Sequence, residues 1–270
     1  MNISFVIVNY MQESYLDKML NSITNVFSKN FNITIVVVDN SNSINICDFF
    51  ETHIQLSKQI KIKILKNDNT GYLNGLSYGA RHIPSSNNNF VFLCNPDLEF
   101  QKCDWFGVLS YYKQSRVLLA PKIVTTTGKN QNPNRVRSFS KLEIFAQDLS
   151  TINYRTYKLI TNLRKVLKKI RLLTRTKSIQ TEKKEIWLPH GSCIIVDFKT
   201  LKDSKFFAEN TFLWGEEVII AEKARRQGAI VLFEPNLKVF HNEHSSTNKM
   251  LGKRKFEIWR KSYSIYRTYF

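Results

Sequence analysis

No stretch of this chain approaches the roughly 20 consecutive apolar residues that a bilayer-spanning helix needs. A membrane-spanning segment is therefore not expected among its 270 residues. The N-terminal "MNISFVIVNYMQES" lacks a basic leader, a long apolar run and a small-residue cleavage site, so it does not read as a signal peptide. Cysteine is sparse: Cys47, Cys94, Cys103 and Cys193 are scattered, with no CxxC pair, which argues against a zinc site. Cys94 and Cys193 fall within apolar runs, and the expectation is buried thiols of a reduced, cytoplasmic protein. A glycine-rich, basic phosphate loop is missing after the first apolar run, where "VNYMQES" stands instead. No internal repeat is visible.

Acids are also few, 22 Asp and Glu against 40 Lys and Arg, a net charge of +18. The excess is local. Residues 153 to 185 hold eleven Lys or Arg against two acids, and residues 249 to 270 hold seven against one. The rest is close to neutral, which speaks for a near-neutral body carrying two basic segments.

What is present suits a folded domain. The chain is 43% hydrophobic and 13% aromatic with only 23% charged residues, enough to bury a core and to argue against general disorder. Short apolar runs at 3–8, 33–39, 60–65 and 89–95 read as strands, and "SYLDKMLNSITNVF" (14–27) repeats apolar residues at helical spacing. Ser14 with Asp17 resembles a capping box that opens this helix. Continuous rather than alternating apolar runs imply strands covered on both faces, hence a mostly parallel α/β sheet flanked by helices. Further on, 125–139 is loop-like. A basic helix is predicted over 154–175, with Leu159, Leu163, Val166, Leu167, Ile170 and Leu173 on one face. A strand follows at 187–198, a helix at 215–228 and a last strand at 229–235.

Acidic residues recur where strands end. Asp39 closes the second run, Asp68 follows the third in "NDNTGY", and Asp97 follows the fourth in "FLCNPDLEF". Each alone suits a turn. On parallel neighbouring strands all three share one rim, where ligands of such sheets bind. Asp97 and Glu99 are spaced to address a hard divalent cation, with Asp97 the better candidate. Glu216 and Glu217 open the late helix, where acids complement its dipole; burial there would raise a carboxyl into the range of a general base. His241 and His244 follow the last strand, and His241 is a candidate metal or phosphate ligand.

Taken in order, "SFVIVNY", "VVVDNSN", "NDNTGYLNGLSYGA", "FLCNPDLEF", "GSCIIVDFKTL", "FLWGEEVIIAEKARRQG" and "FEPNLKVFHNEHSS" resemble a family 2 glycosyltransferase of GT-A fold, nearest the bacterial rhamnosyltransferase-like branch. The resemblance spans about residues 3 to 246. It implies a catalytic domain at 1–246, including a basic helical insertion at about 140–185, followed by a basic, aromatic segment at 247–270. It implies nucleotide contacts at Asn9, Tyr10, Asp39, Asp68, Gly71 and Asn95. Asp97 of the reduced Asn95-Pro96-Asp97 motif would hold Mg²⁺ or Mn²⁺, with His241 near the diphosphate. Glu217 would be the base in a Glu216-Glu217 pair where the family usually has Glu-Asp. Asn74, Leu76 and Ser77 depart from the family's glycine-rich third motif. The implied activity is inverting transfer of rhamnose or another hexose from a nucleotide-diphosphate donor to a saccharide or lipid-linked oligosaccharide, in surface polysaccharide synthesis.

The basic segments suit an anionic membrane surface, which would place the protein peripherally on the inner face of the cell membrane; a solvated helix or a homo-oligomer interface is the alternative. Two rival classes share some features. A nucleic-acid-binding protein explains the pI of about 9.7 but not the strand-end acids, so no nucleic-acid partner is expected. A nucleotidyltransferase shares the sheet but calls for the phosphate loop that is missing. A degenerate transferase kept as a binding module is a third.

Overall fold

The computed structural model describes residues 1–41, 59–84, 88–173, 182–202, 207, 211–243 and 250–270, the side chains of 88 and 168–173 excepted. Cys47 and His244 lie outside the described residues. The chain begins with β1 (Asn2–Asn9), α1 (Glu13–Phe27), β2 (Asn32–Asp39), β3 (Ile60–Lys66), α2 (Tyr72–Ala80) and β4 (Asn88–Cys94). Strands β3-β2-β1-β4 lie side by side and parallel, with Asn9 opposite Asp39 and Asp39 opposite Lys66. Their carboxyl ends therefore form one rim. Both faces are covered, because successive side chains point to opposite sides. Ile3, Phe5 and Ile7 of β1 enter one core with Leu16, Met19 and Phe27 of α1. Val6 and Val8 enter the other with Leu73 and Leu76 of α2.

The second half departs from a parallel sheet. It comprises β5 (Leu98–Phe100), α3 (Trp105–Tyr111), β6 (Val117–Thr125), α4 (Lys141–Ser150), α5 (Tyr154–Leu173), β7 (Lys184–Glu185) and β8 (Cys193–Asp197). It continues with the short α6 (Phe198–Leu201), α7 (Glu216–Arg226), β9 (Ile230–His241) and α8 (Gly252–Tyr266). Among the described residues the strand order runs β3-β2-β1-β4-β8-β6-β9-β5, with β7 paired to β9. β8 is antiparallel to both β4 and β6, and β5 is antiparallel to β9. β8 is nonetheless buried along its whole length, so a continuous apolar run marks burial on two faces and not strand direction.

Residues 95–97 alone separate β4 from β5, yet three strands lie between them in the sheet order. The sheet curls until its far edge returns beside β4. Rings on the two strands meet there: Phe92 and Phe100 are 5.9 Å apart, and both contact Phe5, Phe27 and Trp105.

Several expected boundaries shift. Ser14 and Asp17 form no capping box: α1 starts at Glu13 after Gln12, and the Asp17 carboxylate accepts from Asn21 Nδ2 at 3.3 Å. A capping box does open α4, between Ser140 and Glu143. The strand expected at 187–198 is confined to Cys193–Asp197. The last strand runs on through Pro235 to His241, because the pairing with β6 slips: Pro121 faces Glu234 but Lys122 faces Lys238. The slipped residues absorb a proline that cannot donate to the ladder. The basic C-terminal segment contains a helix, α8, whose Tyr263 and Tyr266 are buried in the second core. Cys94 and Cys193 are free, fully buried neighbours across β4 and β8, their Sγ atoms 4.0 Å apart, whereas Cys103 is half-buried. No helix among the described residues is long and apolar enough to cross a membrane.

Phe92 is fully buried and stacks on Phe5 at 4.4 Å. Phe92→Ala is expected to cost about 3–5 kcal/mol of stability, read as a lower urea midpoint with an unchanged slope.

Candidate active site

A cleft of about 780 Å³ opens at the carboxyl rim of the parallel strands. Tyr10 follows β1, Asn40 follows β2, and Asn95 to Asp97 form the turn after β4; all of these line it. His190, Gly191 and Ser192 line it from the approach to β8, Glu216 and Glu217 from the start of α7, and His241 from the end of β9. The cleft thus collects the ends of elements from both halves of the chain.

Asp97 and His241 meet within it. β5 and β9 pair with Leu98 opposite His241, and Asn242 N–H donates to the Asp97 carbonyl at 3.0 Å. That register sets the two side chains side by side, with His241 Nε2 3.2 Å from Asp97 Oδ1 and both nearly fully buried. The ring orientation is fixed from behind. Gln131 Nε2 donates to Glu243 Oε1 at 2.9 Å, so its Oε1 faces His241 Nδ1 at 2.7 Å and accepts from it. Nδ1 therefore carries a proton, and a neutral ring turns the Nε2 lone pair toward a carboxylate oxygen. Two acceptors face one another there unless a proton or a cation lies between them. A carboxylate with an imidazole whose far nitrogen donates to an oxygen is a fitting donor set for a divalent cation. Among the described residues no group of three or more His, Cys, Asp or Glu is preassembled, so the protein would contribute these two ligands and leave other positions to phosphate oxygens or water. Glu99 is not part of this set; its carboxylate accepts from Asn242 Nδ2 at 2.9 Å.

Asp39 lies fully buried behind the rim. Its Oδ1 accepts from Asn9 Nδ2 at 3.1 Å and from the Ser41 amide at 3.2 Å. Its Oδ2, like Asn9 Oδ1, has no hydrogen-bond partner among the described residues. A buried acceptor left open is costly, and a donor group on a ligand would relieve it. Asp68 is exposed and does not line the cleft, whereas its neighbour Asn69 does. Gly71 is buried away from the lining and serves a backbone contact. Its φ is +115°, and a Cβ there would stand 2.5 Å from Phe212 Cα. Tyr72 N–H then donates to the Phe212 carbonyl at 3.0 Å, joining α2 to the segment that leads into α7.

That segment turns through two left-handed residues, Trp214 (φ +66°) and Gly215 (φ +87°), before α7 begins. A Cβ at Gly215 would stand 2.0 Å from Tyr266 Cδ1 of α8. Trp259 Nε1 donates to the Tyr266 hydroxyl at 3.1 Å, and Ser262 Oγ donates to the Leu213 carbonyl at 2.6 Å. So α8 braces the turn that delivers Glu216 and Glu217. Burial, reinforced by the neighbouring Glu217, pushes the Glu216 carboxyl up to about 8, and burial also raises Glu217. Glu217 borders a second cavity of about 350 Å³ as well, walled by Trp214, Trp259, Tyr266, Phe139 and Arg135. It thus stands between two spaces.

Sequence reasoning missed His190, whose ring lies 5.8 Å from that of His241. Ser192 N–H donates to its Nδ1 at 3.3 Å, which leaves Nε2–H as the donor in a neutral ring. Burial, with His241 nearby, lowers its pKa to about 4 and keeps it neutral. The strand expected over 187–198 concealed it; the Pro-His-Gly in "WLPHGSC" was the available signal of a turn. Gln131 was hidden in the 125–139 loop. Arg254 of α8 is the one Lys or Arg among the described residues lining the main cleft.

A curled α/β sheet with acids at its strand tips and a half-buried acid pair opening a late helix has the layout of the GT-A fold. The likeness to solved structures is at the level of fold. GalNAc-T7, solved with UDP, GalNAc and Mn²⁺, matches 99% of this chain and 49% of its own at a TM-score of 0.62 and 15% identity. The S. aureus TarS 1–349 structure matches 99% of this chain and 73% of its own at a TM-score of 0.53 and 14% identity. The chain belongs to glycosyl transferase family 2, whose profile matches residues 4–203. The low-salt glycan biosynthesis hexosyltransferase Agl10 of Haloferax volcanii is 23% identical over 233 residues, 84% of this chain. The chain spans 62% of the length of that relative.

Glu216 binds its proton more tightly when folded than at the ordinary value of 4.5. Its contribution to stability is complete below about pH 4.5 and declines as pH rises toward 8. Glu216→Gln is therefore expected to unfold at a higher temperature than the parent at pH 8, with the gap closing toward pH 5 in scanning calorimetry. Gly215→Ala must strain the turn and displace Tyr266. It is expected to lower Tm by several degrees, consistent with a cost of about 1–3 kcal/mol for the backbone alone.

Proposed function

We propose that this chain is an inverting hexosyltransferase, drawing rhamnose or another hexose from a nucleotide-diphosphate donor and passing it to a saccharide or lipid-linked oligosaccharide in surface polysaccharide synthesis. It would work on the cytoplasmic side of the cell membrane. The observation that carries the reading is the Glu216-Glu217 pair, half-buried in the same cleft as the Asp97–His241 contact. Family membership and the hexosyltransferase relative support the class of reaction.

The donor nucleotide would lie toward Asn9, Tyr10 and Asp39, where the open Asp39 Oδ2 accepts from a base N–H or a ribose hydroxyl. Its diphosphate would run toward Asp97, past Asn95. Among the described residues, Asp97, Glu216, Glu217 and Glu243 line this cleft against one arginine, and even with Glu216 protonated near neutral pH a diphosphate needs added positive charge to settle there. Mg²⁺ or Mn²⁺ bound by Asp97 and His241 Nε2 would supply that charge and stabilise the departing diphosphate. The neutral His190 offers an N–H to the same region without adding charge. An acceptor hydroxyl entering from the smaller cavity would give its proton to Glu217 while its oxygen attacks the anomeric carbon opposite the diphosphate. The bond to the diphosphate breaks with its electron pair, and the configuration inverts.

Glu217→Gln is expected to reduce transfer by at least about a hundredfold while the thermal shift caused by nucleotide is retained. Full activity in that variant would sink the assignment. In the parent, transfer should rise with pH above the ordinary carboxylate range, because Glu217 acts in its ionised form and burial raises its carboxyl.

A further inference from the structure

From the surface of the two central helices, we infer that α4 and α5 form a docking face for an anionic lipid bilayer. Leu159, Leu163, Val166 and Leu167 of α5 and Leu142 and Phe145 of α4 are each more than half exposed. At 3.6 residues per turn the four on α5 form a single stripe with the exposed Arg155 on its border, while Lys158, Arg164 and Lys165 lie on the flanks behind it. The opposite side of α5 is occupied: Tyr157 packs 5.2 Å from Phe256 and 5.1 Å from Trp259 of α8. α4 inverts the usual order, burying Gln147 and Ser150 while it exposes leucine and phenylalanine. Arg164 Nη2 donates to the Glu143 carbonyl at 3.3 Å and ties the two helices together.

An apolar stripe edged by cations is what an interfacial helix presents, its leucines entering the acyl boundary and its lysines meeting lipid phosphates. Charge selects the bilayer over a second copy of the chain. The twenty residues of α5 contain no Asp or Glu, so two such faces brought together set cation against cation. The bilayer would also lie one helix away from the second cavity, since α5 rests on α8 and Trp259 and Tyr266 of α8 wall that cavity. An acceptor carried by a lipid would then arrive beside Glu217.

The test is co-sedimentation of the full chain with vesicles of phosphatidylcholine alone or with 30% phosphatidylglycerol, near 0.1 M salt. The expected result is pelleting with the anionic vesicles and release at high salt. The combined variant Leu159→Ser, Leu163→Ser, Val166→Ser, Leu167→Ser should bind roughly tenfold or more weakly with an unchanged Tm. Arg155→Gln should weaken the preference for anionic lipid. Parent protein that stays in the supernatant, or a serine variant that pellets as the parent does, would overturn the inference. So would a dimer in sedimentation velocity that the serine substitutions abolish in the absence of vesicle binding. The assay reads neither donor nor acceptor, so its outcome is separate from that of the transfer assay.

Discussion

Two neighbouring carboxyl groups drawn half out of water raise one another's pKa and lose hydration, and the region around residues 211–217 is organised to hold them there. Consecutive on the first turn of a helix, Glu216 and Glu217 project about 100° apart, and Glu217 reaches the second cavity as well as the main cleft. The unpaired amides of that turn face both acids, which offsets part of the cost. The left-handed turn at Trp214-Gly215 presses on Tyr266, and Tyr266 is fixed by Trp259, so α8 carries the load. Without that brace the pair would relax toward solvent, and its carboxyls would return toward their ordinary range.

The same economy of position governs the other end of the cleft. Asp97 sits on a turn of three residues that must connect the middle of the sheet to its far edge. The curl that makes so short a connection feasible also carries the end of β9, and with it His241, to Asp97. A contact between residues 144 positions apart thus follows from strand order and register, with Gln131 and Glu243 setting only the ring orientation.

This explains what could be read from the chain and what could not. Continuous apolar runs located β1 to β4, and a run that ends in Asp or Asn marks a strand tip, so Asp39, Asp97 and Glu216-Glu217 stood out. The antiparallel direction of β8 left no trace, because burial on both faces writes the same apolar run in either direction. The apolar pattern predicts an end of β9 at Pro235, since a slip in register depends on the partner strand. His190 was taken for part of a strand, and Asp68 outranked Asn69 because charge draws attention that geometry does not reward. α4 lies within the helical insertion expected at about 140–185, but that expectation does not set it apart as a helix of its own.

The contact between Gly71 and Phe212 carries a consequence for how this protein can vary. One residue begins the helix beside the Tyr10 and Asn40 end of the cleft, and the other begins the approach to the acid pair, 141 positions later. Their backbones touch with no room for a Cβ. A side chain at position 71 would therefore be felt as a displaced acid pair rather than as a changed contact at its own position. In a lineage that keeps the acid pair in place, this glycine is held by a partner on the other side of the molecule, and the two segments can drift only together.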